Sequence, residues 1–144
     1  SHIAADPLEA AFDAARAVER MKAKRAAIKT VLLNQEVVSG IGNIYADEAL
    51  FLAGVRPRLS AALLSRPTLH RILEAAAEVM ERALEQGGTS FDSLYVNVNG
   101  ASGYFSRSLN VYGRGGEPCK KCGAPIKRVV VGGRSTHYCA ACQK

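Results

Sequence analysis

No apolar run in this chain of 144 residues approaches the ~20 that a membrane-spanning helix needs, because charge interrupts each one early. Nor does the chain open with the basic start and apolar middle of a cleavable export signal, and Ser1-His2 reads as the remnant of an expression tag. These absences set the expectation of a soluble, cytoplasmic protein. Nothing repeats along the chain except two short cysteine pairs, which excludes a repeat architecture. Cysteine is missing before Cys119, and acid is nearly missing after Asp92: residues 104 to 144 hold only Glu117.

That shortage of acid organises the charge. The net is +6, yet residues 1 to 103 carry 11 Lys and Arg against 12 Asp and Glu, whereas residues 104 to 144 carry eight against one. A basic tail on a nearly neutral body is the pattern of a polyanion-binding appendage; a tail kept basic for solubility is the plainer alternative. With 48% hydrophobic residues, the length supports one core plus a small satellite.

The body is helical by its periodicity. Leu8, Phe12, Ala15, Val18 and Met21, then Ala27, Ile28, Val31 and Leu32, recur every three or four positions and predict two successive helices between Pro7 and Asn34. A further helix is expected from Asn43 to about Leu52 with Gly54 as its C-terminal cap. Another follows Ser65 and ends at Gly87-Gly88, with Leu69, Ile72, Leu73, Ala76, Val79, Met80, Ala83 and Leu84 on one face. Residues 89–116 are rich in glycine, asparagine and tyrosine without helical period, and read as a functional or mobile loop and connector. Residues 117–144 form a compact unit. The expected organisation is therefore a linker over 1–6, a helical domain over 7–88, the loop, and a small finger.

All four cysteines lie in that finger, as Cys119-x-x-Cys122 and Cys139-x-x-Cys142 with 16 residues between the pairs. Each pair makes a tight knuckle, and an intervening hairpin brings the knuckles together into a tetrahedral four-sulfur site for one structural Zn2+. Two disulfides would need an oxidising compartment, and iron shares the tetrahedron. Four thiolates around a divalent ion leave a charge of about −2, which Lys120, Lys121, Lys127 and Arg128 are placed to offset. So few apolar side chains make folding of this unit and metal binding one event. Gly132-Gly133 between two β-rich runs predicts a two-residue turn, with Arg134 projecting from the hairpin tip far from the metal, suited to phosphate or minor-groove contact.

The string Gly40-Ile-Gly-Asn-Ile-Tyr45 has the look of a nucleotide loop. A dinucleotide fold needs a preceding strand and a third glycine where Tyr45 stands, and a phosphate-binding P-loop needs Gly-Lys-Ser/Thr; both are lacking. What remains is helix, glycine-containing turn, helix. Gly42 permits close backbone approach, and Asn43 with the free amides of the next turn offers donors to an anion. Asp47 and Glu48, assigned to that first turn, have to point away from it.

Val38-Ser-Gly-Ile-Gly-Asn-Ile-Tyr-Ala-Asp-Glu-Ala-Leu resembles the helix-two-turn-helix signature of the bacterial formamidopyrimidine-DNA glycosylase and endonuclease VIII family. The strings Tyr112-Gly-Arg-Gly-Gly-Glu-Pro-Cys and Arg134-Ser-Thr-His-Tyr-Cys-Ala-Ala-Cys-Gln-Lys are similar to its C-terminal zinc finger, and Gln86-Gly-Gly-Thr-Ser favours the formamidopyrimidine branch. The resemblance runs from Pro7 onward. It implies a mainly α-helical domain followed by a β-hairpin four-cysteine finger. It also implies that Asn43 and Arg134 hold phosphates flanking a lesion, that Lys29 and Tyr104 approach the backbone, and that the loop from Thr89 to Ser102, with Asn97, Asn99 and Gly100, covers an everted oxidised purine. In the family an N-terminal proline amine attacks the sugar, assisted by a glutamate, on a β-rich domain absent from this sequence. Pro7 follows Asp6 and has no free amine, and Glu9 reads as a helix-entry acid. The expectation is a monomeric, bacterial, nucleoid-associated portion of a base-excision repair protein that binds damaged duplex DNA through phosphates. Without a catalytic N-terminal partner domain, base release and strand cleavage are not expected. The other reading is a zinc ribbon contacting RNA or a protein.

Overall fold

The computed structural model describes residues 4–85 and 108–144. Helix α1 spans Ala14–Lys22, started by Asp13, whose Oδ1 accepts from the Arg16 N–H at 3.1 Å. Asp13 is thus the helix-entry acid, not Glu9, which lies in a turn closed by its own N–H on the Asp6 carbonyl. Helix α2 (Ile28–Leu32) is short, and its first N–H groups are satisfied from outside: Ile28 donates to the Leu59 carbonyl at 2.6 Å and Lys29 to the Pro57 carbonyl at 3.2 Å.

Helix α3 (Asn43–Ala53) is the centre of the molecule. Asn43, Ile44, Tyr45, Ala46, Asp47, Glu48, Ala49, Leu50 and Ala53 are all buried. Leu52 is 41% exposed, but a helix covered on nearly every other side must be wrapped by its neighbours. Helices α2 and α4 and the finger do this. Gly54, left-handed at φ 75°, ends it as expected. Helix α4 (Arg66–Glu85) starts at Ser65, whose Oγ accepts from the Thr68 N–H at 3.2 Å, and buries Leu69, Ile72, Leu73, Ala76, Val79, Met80 and Ala83. Leu84, at 47% exposure, leaves that face. A 3-10 turn at Ala61–Leu63 precedes α4.

Between α2 and α3 the chain doubles back. Asn34 organises the turn, its carbonyl accepting from Val37 and its side chain from the Glu36 N–H at 2.9 Å, while Val37, Val38 and Ile41 plug into the core. Gly40 sits at φ +83°, which favours glycine, and an added Cβ would press on the side chains of Asp6 at 3.0 Å and Met80 at 3.1 Å.

The finger contains strands β1 (Lys127–Val131) and β2 (Arg134–Tyr138), antiparallel with Val131 opposite Arg134 and Lys127 opposite Tyr138. Gly132 and Gly133, at φ 56° and 78°, make the expected two-residue turn. Val111, Cys119, Ile126 and Cys139 form a small core of its own.

The two parts are fastened together. Gln143, fully buried, accepts from the Cys139 N–H and donates to the Val55 carbonyl, both at 2.8 Å. Arg56 reaches the carbonyls of Gln143 and Ala140 at 2.9 and 2.7 Å. The Lys144 N–H donates to the Gly54 carbonyl.

Candidate metal centre and nucleic-acid interface

Cys119 and Cys122 face Cys139 and Cys142 as the spacing predicts. A tetrahedron with metal–sulfur distances of ~2.3 Å has sulfur–sulfur edges of ~3.8 Å. Here Cys119 Sγ lies 3.9 Å from Cys142 Sγ and Cys122 Sγ 3.5 Å from Cys139 Sγ, with all four sulfurs within 4.8 Å of one another. None is in a disulfide. The set fits one structural zinc ion and leaves no position for a water ligand.

The knuckles prepare the thiolates. Lys121 N–H donates to Cys119 Sγ and Cys142 N–H to Cys139 Sγ, both at 3.4 Å. Burial pushes the Cys119 thiol up, but donors from Cys122 and Lys121 outweigh it and bring it to about 7. Cys142 is pushed up to about 12 by burial and by the other three sulfurs. Four sulfurs this close cannot all ionise without a cation among them.

At the other end of the hairpin, the tip lies against α2. A Cβ on Gly132 would stand 2.7 Å from Thr30 Oγ1. Arg134, just past the turn, is exposed and pairs with no carboxylate among the described residues. Its neighbour Ser135 is anchored: the Ser135 carbonyl accepts from Asn43 Nδ2 at 3.0 Å and from Lys29 Nζ at 2.9 Å. Asn43 is the first residue of α3. The Gly42 cap has no side chain, so the positive end of an 11-residue helix carries no side-chain cap there. The hairpin tip and the start of α3, more than 90 residues apart in sequence, thus meet at one carbonyl.

Lys29 is placed otherwise than expected. It is fully buried; its ammonium lies 2.7 Å from Asp47 Oδ1 and donates to Thr136 Oγ1 at 2.8 Å as well as to Ser135. Burial pushes it below the ordinary lysine range, the Asp47 carboxylate opposes this, and nearby Arg134 adds to it. A side chain so enclosed ties α2 and α3 to the finger. Tyr104 and the whole loop from Thr89 to Ser102 lie outside the described residues.

Asp47 and Glu48 do point away from the helix start, but they stand one turn further in and act as anchors. Asp47 Oδ2 accepts from the His137 N–H at 2.9 Å and lies 3.2 Å from His137 Nδ1. Glu48 accepts from the N–H groups of Asn110, Val111 and Tyr112 at 2.8, 2.8 and 2.9 Å. The Tyr112 ring meets His137 edge-on at 5.1 Å. Among the described residues, no helix is long and apolar enough to cross a membrane.

Residues 3–94 match the family described as the formamidopyrimidine-DNA glycosylase H2TH domain, and residues 116–144 match the zinc finger found in FPG and IleRS. The formamidopyrimidine-DNA glycosylase of Corynebacterium jeikeium is 90% identical over 144 residues, all of this chain and 50% of that protein. That of Mycolicibacterium smegmatis is 58% identical over 99% of this chain and 50% of its own length. Among solved structures, the Lactococcus lactis FPG (MutM) complex with FAPY-dG containing DNA superposes with a TM-score of 0.86 at 34% identity, covering 99% of this chain and 51% of that one. MutM (FPG) from Thermus thermophilus gives a TM-score of 0.83 at 36% identity, covering 99% and 54%. The chain spans about half the length of the curated relatives it matches.

Proposed function

Since this chain belongs to the formamidopyrimidine-DNA glycosylase H2TH family and carries the matching four-cysteine zinc finger, we propose that it is the duplex-gripping half of a base-excision repair protein. It acts on DNA in the bacterial cytoplasm. Asn43, with the open start of α3 at Gly42, donates to one backbone phosphate, and the Arg134 guanidinium takes a neighbouring one. Lys29 holds the two in place from beneath and is not itself a phosphate contact. Tyr104 is proposed as a further backbone contact, and the loop from Thr89 to Ser102 as the segment that covers the damaged base.

The observation that supports this reading is the meeting of hairpin tip and helix start at the Ser135 carbonyl, which brings Asn43 of one element next to the strand that carries Arg134. The L. lactis relative in complex with FAPY-dG containing DNA supports it. Organisation into a helical part over 7–88, a connector over 89–116 and a finger over 117–144 is part of the proposal; the described end of the connector packs with the finger.

Titration of labelled duplex with zinc-loaded chain at several salt concentrations tests it. The expected result is binding that weakens steeply as salt rises, competed better by duplex DNA than by structured RNA. Absence of binding in dilute buffer, or preference for the RNA, overturns it.

A further inference from the structure

We infer that Asp47 is the positioning residue of this phosphate clamp: its buried carboxylate locks the hairpin tip onto the start of α3, so that Arg134 and Asn43 meet a backbone as one rigid pair. The inference rests on the clamp proposed above and adds the device that sets its register.

Asp47 is 1% exposed. One oxygen lies 2.7 Å from Lys29 Nζ, and the other takes the His137 N–H at 2.9 Å. Lys29 in turn donates to the Ser135 carbonyl and to Thr136 Oγ1, and Thr136 Oγ1 donates to the Arg134 carbonyl at 3.0 Å. Residues 134 to 137 are therefore held in succession, every bond leading back to one carboxylate. The Ser135 carbonyl is also where Asn43 Nδ2 is held. Besides the Asn43–Ser135 bond and the contact of the turn with Thr30, the other fasteners act elsewhere: Glu48 on the connector at 110–112, Gln143 and Arg56 at the second knuckle. Loss of Asp47 accordingly leaves the finger attached and its metal set untouched, but frees the tip that carries Arg134. Removing one partner of a buried, hydrogen-bonded ion pair also strands the other, so the tip has reason to move.

The test is a double-mutant cycle on the full zinc-loaded chain with Asp47→Asn, which keeps the shape and removes the charge. Zinc content should stay at one ion per chain. Arg134→Ala should weaken duplex binding ~10-fold in the native background and less than ~2-fold beside Asp47→Asn, because an unheld arginine has little left to lose. Equal losses in both backgrounds would overturn the inference. A second arm needs no DNA: amide residual dipolar couplings from hairpin and helices should fit one alignment tensor in the native chain and require two in Asp47→Asn. One shared tensor in both overturns it. If native chain fails to bind duplex, or Arg134→Ala binds as native does, the clamp reading fails while the alignment arm still decides the role of Asp47. Should Asp47→Asn not fold, the paired exchange Lys29→Met with Asp47→Leu replaces the ion pair by apolar volume and is carried through both arms with the same expected outcomes.

Discussion

The carboxylate of Glu48 on α3 accepts a 2.8 Å hydrogen bond from the backbone N–H of Val111, the middle one of three consecutive N–H groups that it gathers. Both residues are buried, at 4% and 0% exposure, so water cannot take over if either is lost. The connector has no regular structure at this point, and Glu48 supplies the acceptors that a neighbouring strand would otherwise provide.

Glu48→Gln should therefore cost about 2–4 kcal/mol, because the new amide turns an N–H group toward backbone N–H donors. In a chain of this size that lowers Tm by roughly 10 °C. Thermal unfolding followed by circular dichroism checks it; a change under about 1 °C would mean the three bonds contribute nothing.

Zinc affinity should fall steeply with acid. Cys119 titrates at about 7 before metal binds, whereas Cys142 keeps its proton to about 12 and Cys122 is also shifted upward. Binding at neutral pH must displace protons from at least two of these thiols, so affinity is favoured at high pH and lost as pH falls. Each displaced proton weakens apparent affinity ~10-fold per pH unit below its thiol pKa, or about 100-fold for two. Competition against a chromophoric chelator between pH 6 and 8 measures the slope, and a flat profile would contradict the four-thiolate site.

The two turn glycines should differ. Both have positive φ, so alanine at either one costs about 1 kcal/mol in backbone strain. At Gly133 nothing lies near the added methyl; at Gly132 it would stand 2.7 Å from Thr30 Oγ1. Gly132→Ala should thus exceed Gly133→Ala in destabilisation by about 1–2 kcal/mol, and Thr30→Ala should recover most of that difference. Equal effects would show that the tip does not rest on α2.

The chemistry-bearing spacing was readable in advance, and long-range fastening was not. Cysteine pairs, the Gly132-Gly133 turn, the Ser65 and Gly54 caps and Asn43 at a helix start are all local, set by a few adjacent residues. The misplacements involve partners far apart. Lys29 entered as a backbone contact only through the family resemblance, and its partners, Asp47 on α3 and residues 135 and 136, lie outside its own helix. Asp47 and Glu48 were legible as turned away from the anion but not as anchors, since their partners lie 90 and about 60 residues on. One signal could have found them. Residues 43–53 are mostly apolar with no polar face, and two acids on such a helix need interior partners. Gln143 and Arg56 gave no such signal.

Asn43 and Arg134 should weaken duplex binding in distinguishable ways. Removing a guanidinium from a phosphate reduces the number of counterions released, so Arg134→Ala should lower the slope of log affinity against log salt by about 0.9. Asn43 is neutral: Asn43→Ala should cost about 1 kcal/mol and leave the slope unchanged. Both losses should be the same on any duplex sequence. If Asn43→Ala changes the slope as much as Arg134→Ala does, the neutral-donor assignment of Asn43 is wrong.

Lys29 should be inert toward abasic sugars despite its lowered pKa. Schiff-base formation requires a neutral amine with a free lone pair and an open approach to C1′. The Lys29 nitrogen instead donates to the Ser135 carbonyl and Thr136 Oγ1 and forms an ion pair with Asp47 Oδ1, in a fully buried position. Burial pushes the amine toward neutrality, but the carboxylate 2.7 Å away holds the proton on it. Borohydride reduction in the presence of abasic-site duplex should accordingly give no adduct at Lys29 when the digest is mapped by mass spectrometry. Lys29→Met should leave any trapped yield unchanged while costing about 3–5 kcal/mol in stability, because Asp47 is then buried without a counter-charge. An adduct mapped to Lys29 would require the hairpin to lift off α3, and with it the whole account of how the clamp is held.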